Sequence, residues 1–557
     1  MNQIDYKIDE KYVSKTNALL IGWQNEKVNQ RIWKKDPTVW RKDPAQQAEL
    51  ADRLGWLDLA ETMLKEIKSL EEFAGVIKDD FDNVILLGMG GSSLAPEVYF
   101  KTFGNKEGYP NLTILDSTHP LSVKNIIDKY NLKKTFFVVS SKSGGTVETM
   151  SFFHTFFEEV KKFSSEPGRQ FVAITDPGSG LEKLAQQNKF RKIFSTPPDV
   201  GGRYSALTFF GLVPAALIGM DLNLFLTKAK EMTQSCKPDV EVKNNPGFYL
   251  GALLGTFAVD GNDKVTFFAS SKISSFPVWV EQLIAESTGK DGKGILPVAD
   301  ETFKSTDVYG KDRVFVFLKL KGDNNNELDK IQSELLQKNF QVISIELNDV
   351  YDIAQEFYRW EMATALAGAA LDIHPFNQPN VQLAKTLATE SLNSYKASGT
   401  LPREEPKLTE GRISFYGDVE AKNSDNYVHT FLGEIKEGDY IAVNAFIPMT
   451  ETNEELLQNF RLKLRDKYKV ATTLGFGPRF LHSTGQLHKG GANNGYFIEI
   501  TSDIENDLDV PGQGYSFGVL VTAQALGDLK ALRNKERKVI RINFAGKLED
   551  SLEKIGL

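Results

Sequence analysis

A single cysteine, Cys236, among 557 residues cannot close an internal disulfide, and it reads as a reduced thiol in a cytoplasmic protein. No run of ~20 apolar residues is present, so no membrane-spanning helix is expected. The opening MNQIDYKIDE is polar and acidic, without the basic and apolar regions of a secretory signal. Basic residues are in deficit too. With 66 Lys and Arg against 74 Asp and Glu the net charge is −8, which argues against a general affinity for nucleic acid. An anionic ligand would have to be caught by a local basic site. The six histidines avoid metal-ligand spacings such as i, i+4, and His482 and His488 are six apart, so no metal is expected.

What the chain does have is an ordinary globular composition, 41% hydrophobic and 25% charged. Its length exceeds what one core supports and implies two large domains or three. Residues 1–80 read as polar and mostly helical: Leu50, Leu54 and Leu57, then Met63, Leu64 and Ile67, recur at a helical period. From there NVILL, LTIL, TFFVV and FVAIT are short unbroken apolar runs, each followed by turn residues and room for a helix. Such runs suit strands buried on both faces of a parallel sheet. The series closes near residue 220, and TQSCKPDVEVKNNPG reads as a linker. A second series has KVTFFAS, RVFVFLKL and QVISIEL as strands, with helices over 276–288, 325–338 and 350–398. After a charged, proline-containing break at 399–412, a third holds DYIAVNAFIP, KVATTLGFG and GYFIEIT, with helices over 452–468 and 515–534. The expected division is 1–80, 81–235, 236–400 and 401–557. A strand-then-helix likeness between 313–371 and 495–536 is too weak to read as a repeat.

Six stretches could carry chemistry. GMGGSS, residues 88–93, follows NVILL; glycines at a strand end admit a ligand to the backbone amides, and the next helix offers its positive end. A bare strand-to-helix turn accounts for it as well. It lacks the Gly-Lys-Ser/Thr of a Walker loop, and Ser93 takes the third glycine of a dinucleotide fingerprint. SSKSGGTVETMS, residues 140–151, follows TFFVV, and there Ser141, Lys142, Ser143, Thr146 and Thr149 can converge on a phosphate dianion. An N-cap by Ser143 or Thr146, with Glu148 favoured in the first turn, explains one hydroxyl. It leaves Lys142 as a cation at the wrong helix end unless an anion offsets it. In GGRYSALT, Arg203 suits either a ligand or a structural salt bridge. In WVEQLIAESTGKDGKG, Gln282 and Glu286 share a helix face, and a carboxylate in an apolar turn is raised from ~4.3 toward neutrality, as a general base requires. Local sequence alone favours a helix-end glutamate in water. HPFNQPNVQLAK puts Gln378 and Lys385 on one face, and RFLHSTGQLHKGG has His482 and His488 around Gln486. In isolation each is an ordinary loop-to-helix join.

Together these stretches resemble the glucose-6-phosphate isomerase family, also called phosphoglucose isomerase, and particularly the isomerase half of bifunctional transaldolase/glucose-6-phosphate isomerase proteins. GMGGSS is similar to the family's Gly-x-Gly-Gly-Ser, SKSGGTVET to Ser-Lys-Thr-x-x-Thr-x-Glu-Thr and GGRYS to Gly-Gly-Arg-Phe-Ser. QLIAESTGK is similar to Gln-x-x-x-Glu-Ser-x-Gly-Lys, and PFNQPNVQLAK to Pro-Phe-Asp-Gln-x-Gly-Val-x-x-x-Lys. The resemblance implies an α/β fold of two sugar-isomerase domains, each a parallel sheet between helices, to which this chain adds a C-terminal α/β segment. It implies an enzyme without metal or organic cofactor that interconverts glucose 6-phosphate and fructose 6-phosphate through a cis-enediol. Ser141, Ser143, Thr146 and Thr149 would bind the substrate phosphate with Lys142 beside them, while Gly91 and Ser92 border the sugar. Gln282 and Gln378 would hold hydroxyls, Glu286 would be the base, Arg203 would stabilise the intermediate's charge, and Lys385 would assist ring opening.

The departures are specific. In the family the ring-opening histidine lies between the glutamate and the lysine, whereas LHSTGQ places it here at His482, after Lys385. In the usual family dimer that histidine comes from the neighbouring subunit. A rearranged chain with a third segment could supply it in cis, so homodimer and monomer both stay open. Ser143 stands for a threonine and Asn377 for an aspartate. No transaldolase module precedes residue 80, and that activity is not expected. A mannose 6-phosphate isomerase and a non-catalytic sugar-phosphate sensor are the alternatives, and a sensor would not need Glu286, Arg203 and Lys385 together. RIWKKDPTVWRKDP, residues 31–44, reads by default as a surface helix and turn, with a lid or a subunit contact as the alternatives.

Overall fold

The computed structural model describes residues 1–550 and 552–555. The four unbroken apolar runs, with a fifth strand Lys192–Ser195 that they do not include, form the first sheet, in the spatial order Asn111–Leu115, Asn83–Gly88, Thr135–Ser140, Phe171–Thr175, Lys192–Ser195, all parallel. Thr135–Ser140 is buried at every residue, as a central strand covered on both faces must be. The second sheet runs Gln3–Lys7, Gln341–Leu347, Arg313–Leu320, Lys264–Ala269, Leu296–Val298, with only Gln3–Lys7 antiparallel. That first strand escapes a helical reading of residues 1–80. It is a short polar edge strand whose partner lies in 342–346. The third sheet runs Leu408–Glu410, Ile413–Tyr416, Lys538–Phe544, Gly495–Ser502, Tyr440–Phe446, Ala471–Phe476, and its last four strands are parallel.

Counted along the chain, the parallel strands of all three sheets share one spatial order: second, first, third, fourth. The C-terminal segment is therefore a third α/β unit with the topology of the other two. The likeness between 313–371 and 495–536 has a physical basis, since each stretch begins on the third parallel strand of its sheet. In open sheets of this kind ligands bind beyond the carboxyl ends of the strands, where the order reverses. In the first unit that point lies between Asn83–Gly88 and Thr135–Ser140, the two strands that lead into GMGGSS and SSKSGG.

Three expectations change. The helix expected over 350–398 is two, Ile353–Ala370 and Pro379–Ser398, broken where Pro375 and Pro379 disfavour helix in the residues before them. That break forms the loop bearing Gln378. The stretch 31–44 is not a surface turn: Trp40 is buried and its indole N–H donates to the Ala365 carbonyl at 2.7 Å. Its ring meets Phe376 edge-on, and Phe376 in turn packs on Tyr204, so this corner supports both the Gln378 loop and Arg203. The residues read as a linker carry Cys236 into the core, where burial pushes its thiol up to about 12 and keeps it protonated.

The third unit is bound to both of the others. Its helix Phe517–Asn534 packs against Pro379–Ser398, and Phe517 stacks on Phe152 with ring centroids 5.9 Å apart. Among the described residues no helix is long and apolar enough to cross a membrane.

Candidate active site

GMGGSS turns through one short helical turn, Gly90–Ser92, into the helix Leu94–Phe103. Gly90 has φ +58°, a backbone region that L side chains avoid. A Cβ there would also lie 2.9 Å from that of His482 and 3.0 Å from the Gln282 amide. A Cβ on Gly91 would lie 2.0 Å from the Gly202 carbonyl oxygen. The two glycine motifs therefore touch backbone to backbone, with His482 and Gln282 against the same turn. The Ser140 hydroxyl donates to the Ser92 carbonyl at 3.4 Å, joining this turn to the second loop.

That second loop is held by its own hydroxyls. Ser141 and Thr146 are paired at 3.1 Å, the Gly144 N–H donates to Ser141 at 3.2 Å, and the Gly145 N–H donates to Ser143 at 3.2 Å. The helix Val147–Lys161 has no side-chain cap, although Thr146 occupies the N-cap position. The capping account of these hydroxyls therefore fails, and the first-turn N–H groups remain available to a ligand. Thr149 is fully buried, and its hydroxyl has no partner among the described residues. Lys142 is different. Its ammonium pairs with Asp176 and donates to the Pro198 carbonyl at 3.0 Å, so the offsetting anion is supplied by the protein. Lys142 therefore does not require a bound dianion.

Glu286 closes the helix Phe276–Thr288, one turn beyond Gln282 and on its face. Its setting is buried but not apolar as expected: Arg203 lies 3.4 Å from one carboxylate oxygen, and the Gln282 amide donates to the other at 3.3 Å. Arg203 is itself fixed on every side. It donates to the Ser287 hydroxyl at 2.7 Å, to Gln378 at 2.8 Å, and to the carbonyls of Pro375 at 2.6 Å and Asn377 at 3.2 Å. Lys290 caps the helix from beyond its end, donating to the carbonyls of Glu286 at 2.8 Å and Ser287 at 2.7 Å. Burial, with Arg203 nearby, lowers its pKa well below the usual lysine range. Sequence reading passed over Lys290, although it ends the stretch QLIAESTGK.

His482 comes from the third unit, on a short turn after the strand Ala471–Phe476. The Gln282 amide donates to its carbonyl at 2.6 Å, and its Nε2 lies 2.9 Å from the Glu148 carboxylate. A carboxylate can only accept, so Nε2 carries the proton and a neutral ring keeps its lone pair on Nδ1. Burial alone would raise the pKa of Glu148; His482 outweighs it, with a lesser contribution from Lys385, and holds the carboxyl below its ordinary range. Glu148 is the residue that the sequence undervalued, reading it only as a first-turn acid. The available signal was that the motif Thr-x-Glu-Thr puts an acid beside a loop otherwise made of hydroxyls.

Thus one chain brings Gly91, Ser92, Arg203, Gln282, Glu286, Gln378 and His482 together with the loop Ser141–Thr149. Lys385 lies exposed on Pro379–Ser398, near enough for its charge to act on Glu148, and makes no hydrogen bond or ion pair among the described residues. His488 is not in the site. It is packed among Tyr440, Phe480 and Phe497, where burial drives its pKa far down. Among the described residues no cluster has the composition of a metal site.

Residues 47–301 match the family model described as phosphoglucose isomerase. A probable glucose-6-phosphate isomerase of Methanococcus maripaludis is 28% identical over 388 residues, covering 63% of this chain and 87% of that one. A glucose-6-phosphate isomerase of Campylobacter jejuni is 29% identical over 381 residues, covering 61% and 92%. Among solved structures, a hypothetical protein of Thermus thermophilus superposes with a TM-score of 0.60 at 22% identity, over 70% of this chain and all of that one. A glucose-6-phosphate isomerase of Chlamydia trachomatis gives 0.51 at 18% identity, over 66% and 78%. At these identities the two structures bear on the fold alone. Residues 47–301, somewhat under half of the chain, are thus similar to the phosphoglucose isomerase family.

Proposed function

We propose that this protein interconverts glucose 6-phosphate and fructose 6-phosphate at the site between its three units. The observation that carries the reading is Glu286, a buried carboxylate held between Arg203 and Gln282, with His482 tied to the same Gln282. The uncapped N-terminus of Val147–Lys161, with Ser141, Ser143, Thr146 and Thr149, receives the phosphate. Lys142 stays paired to Asp176. His482, with Lys385 on the exposed side, opens the cyclic sugar, and the Glu148 carboxylate stabilises the proton that the ring takes up. Glu286 then removes the proton from C2 and returns it to C1, through a cis-enediol whose negative charge falls near Arg203.

All of the Arg203 N–H groups have protein acceptors, so the guanidinium is preorganised and does not reorient during the reaction. Gln378 is its one exposed side-chain partner and the one that a substrate oxygen displaces. Since His482 reaches the site from within the same chain, a monomer is sufficient for activity. The test is Glu286→Gln, assayed from fructose 6-phosphate with coupled detection of glucose 6-phosphate. A general base contributes ~10²–10⁴-fold, so kcat falls about 10³-fold while the fold persists. A variant retaining a large fraction of wild-type kcat overturns the assignment.

A further inference from the structure

We propose that Gln524, on the third unit's helix Phe517–Asn534, is a positioning residue that keeps the Glu148 carboxylate aimed at His482; this rests on the isomerase reading above. Gln524 is 3% exposed. Its Nε2 donates to Glu148 Oε1 at 2.8 Å, the oxygen that also lies 2.9 Å from His482 Nε2. Its Oε1 accepts from the Thr118 hydroxyl at 2.7 Å. Thr118 is fully buried in the loop after Asn111–Leu115. These contacts fix the orientation of the amide. A flipped Gln524 would set its oxygen against a carboxylate, and two acceptors cannot share a hydrogen bond. Thr118 therefore keeps the donor end of Gln524 on Glu148, and the lock runs from the first unit to the third and back.

Four side chains face Glu148: His482 from the turn Arg479–His482, Lys385 from Pro379–Ser398, the Tyr515 phenol from the turn before Phe517–Asn534, and Gln524. Two side chains, His482 and Gln524, hydrogen-bond its carboxylate. Gln524 thus supplies a neutral side-chain donor that favours the ionised form without itself titrating. If Glu148 took up a proton, His482 would lose the acceptor that holds Nε2–H, and with it the tautomer that leaves Nδ1 free for the sugar.

The experiment compares wild type with Gln524→Leu, Gln524→Glu and Thr118→Val, following kcat against pH on two substrates. One is fructose 6-phosphate, and the other is a four-carbon aldose phosphate, which has no free hydroxyl placed to close a ring. The acid limb of the profile moves to higher pH in both Gln524 variants, furthest in Gln524→Glu, where two carboxylates would compete for one proton. At neutral pH turnover of fructose 6-phosphate falls about tenfold, the scale of one hydrogen bond to a charged group. Turnover of the acyclic substrate changes less than about twofold. Thr118→Val moves both readouts in the same direction by less, and it carries the test if thermal melting shows that a Gln524 variant does not fold. An unmoved acid limb in folded variants, or equal losses on both substrates, overturns the proposal and leaves Gln524 a packing residue. If wild type itself does not turn over fructose 6-phosphate, the isomerase reading fails instead.

Discussion

The loop Ser141–Thr149 and the segment 479–489 meet at one contact, Glu148 to His482, yet they are held in opposite ways. The Ser141, Ser143 and Thr146 hydroxyls and the Gly144 and Gly145 amides find partners within five residues of themselves. The segment is pinned at long range. Arg479 pairs with Glu97 and lies 3.3 Å from Asp116, and the Gln486 amide donates to the Gly289 carbonyl at 2.9 Å. Its oxygen accepts from the Asn380 N–H at 2.9 Å, and Lys489 pairs with the buried Asp528. A phosphate needs a cluster of donors, which one turn can assemble. A ring-opening histidine has to be delivered to a place set by two other units, which takes buried ionic contacts across the chain. The first should therefore govern substrate binding, and the second turnover and stability.

The most direct way to break this contrast is His482→Ala. Loss of an acid-base group costs ~10²–10⁴-fold, so kcat on fructose 6-phosphate falls about 10²-fold, while KM and turnover of an acyclic four-carbon aldose phosphate stay close to wild type. Equal loss on both substrates would mean that the segment does not serve ring opening. Glu97→Gln tests the pinning itself. Burial works against the Glu97 carboxylate, but Arg479 and Lys101 outweigh it and hold its pKa at about 2. The neutral amide leaves Arg479 with Asp116 alone, and urea unfolding should show a loss of about 3 kcal/mol, the low end for breaking a buried pair. Because the folded pKa is depressed, this stabilisation is complete above about 4.5 and is lost as pH falls toward about 2. The gap between wild type and variant closes through that window.

How much was legible follows the same division. The strands of the first sheet, the helix of Gln282 and Glu286, and the glycines of GMGGSS answer to local pattern: unbroken apolar runs, a helical period, a turn with no room for a Cβ. Glu148 was visible but misjudged, because its value comes from a histidine 334 residues away. Gln524 sits among small and apolar residues and Thr118 in a polar turn, with nothing local to mark either, and their meaning lies in a contact across 406 residues. The strand Gln3–Lys7 was missed for the same reason, since a polar five-residue edge is defined by its partner. The order of the third sheet was equally out of reach, because periodicity gives strands but not their neighbours.

On the loop, two substitutions should separate binding from architecture. Thr149→Val keeps the shape and removes a buried hydroxyl that has no partner among the described residues. The variant should be as stable as wild type or slightly more so, since an unsatisfied polar group is removed. KM for fructose 6-phosphate should rise about tenfold, as expected for a hydrogen bond to a charged phosphate. Ser141→Ala removes the acceptor of the Gly144 N–H and should cost stability as well as affinity. If Thr149→Val left KM unchanged, the phosphate would not be bound where the uncapped helix points.

The smallest effect is expected at Lys142, where sequence and structure diverge most. A cation at a helix N-terminus implied a bound dianion, but the structure satisfies it with Asp176, itself held by the Thr196 hydroxyl at 2.6 Å. The pair is about a quarter exposed on the lysine side, so solvent screens it and its contribution stays near 1 kcal/mol or below. Asp176→Asn removes the competing carboxylate and leaves Lys142 free to turn. If Lys142 is only part of the loop's framework, KM changes less than about twofold, because the contribution of the pair is too small to shift substrate affinity further. If the phosphate is the better partner, the released ammonium engages it and KM falls about tenfold, the scale of a charge-assisted hydrogen bond. That fall would return Lys142 to the phosphate site and make Asp176 its competitor in the free enzyme.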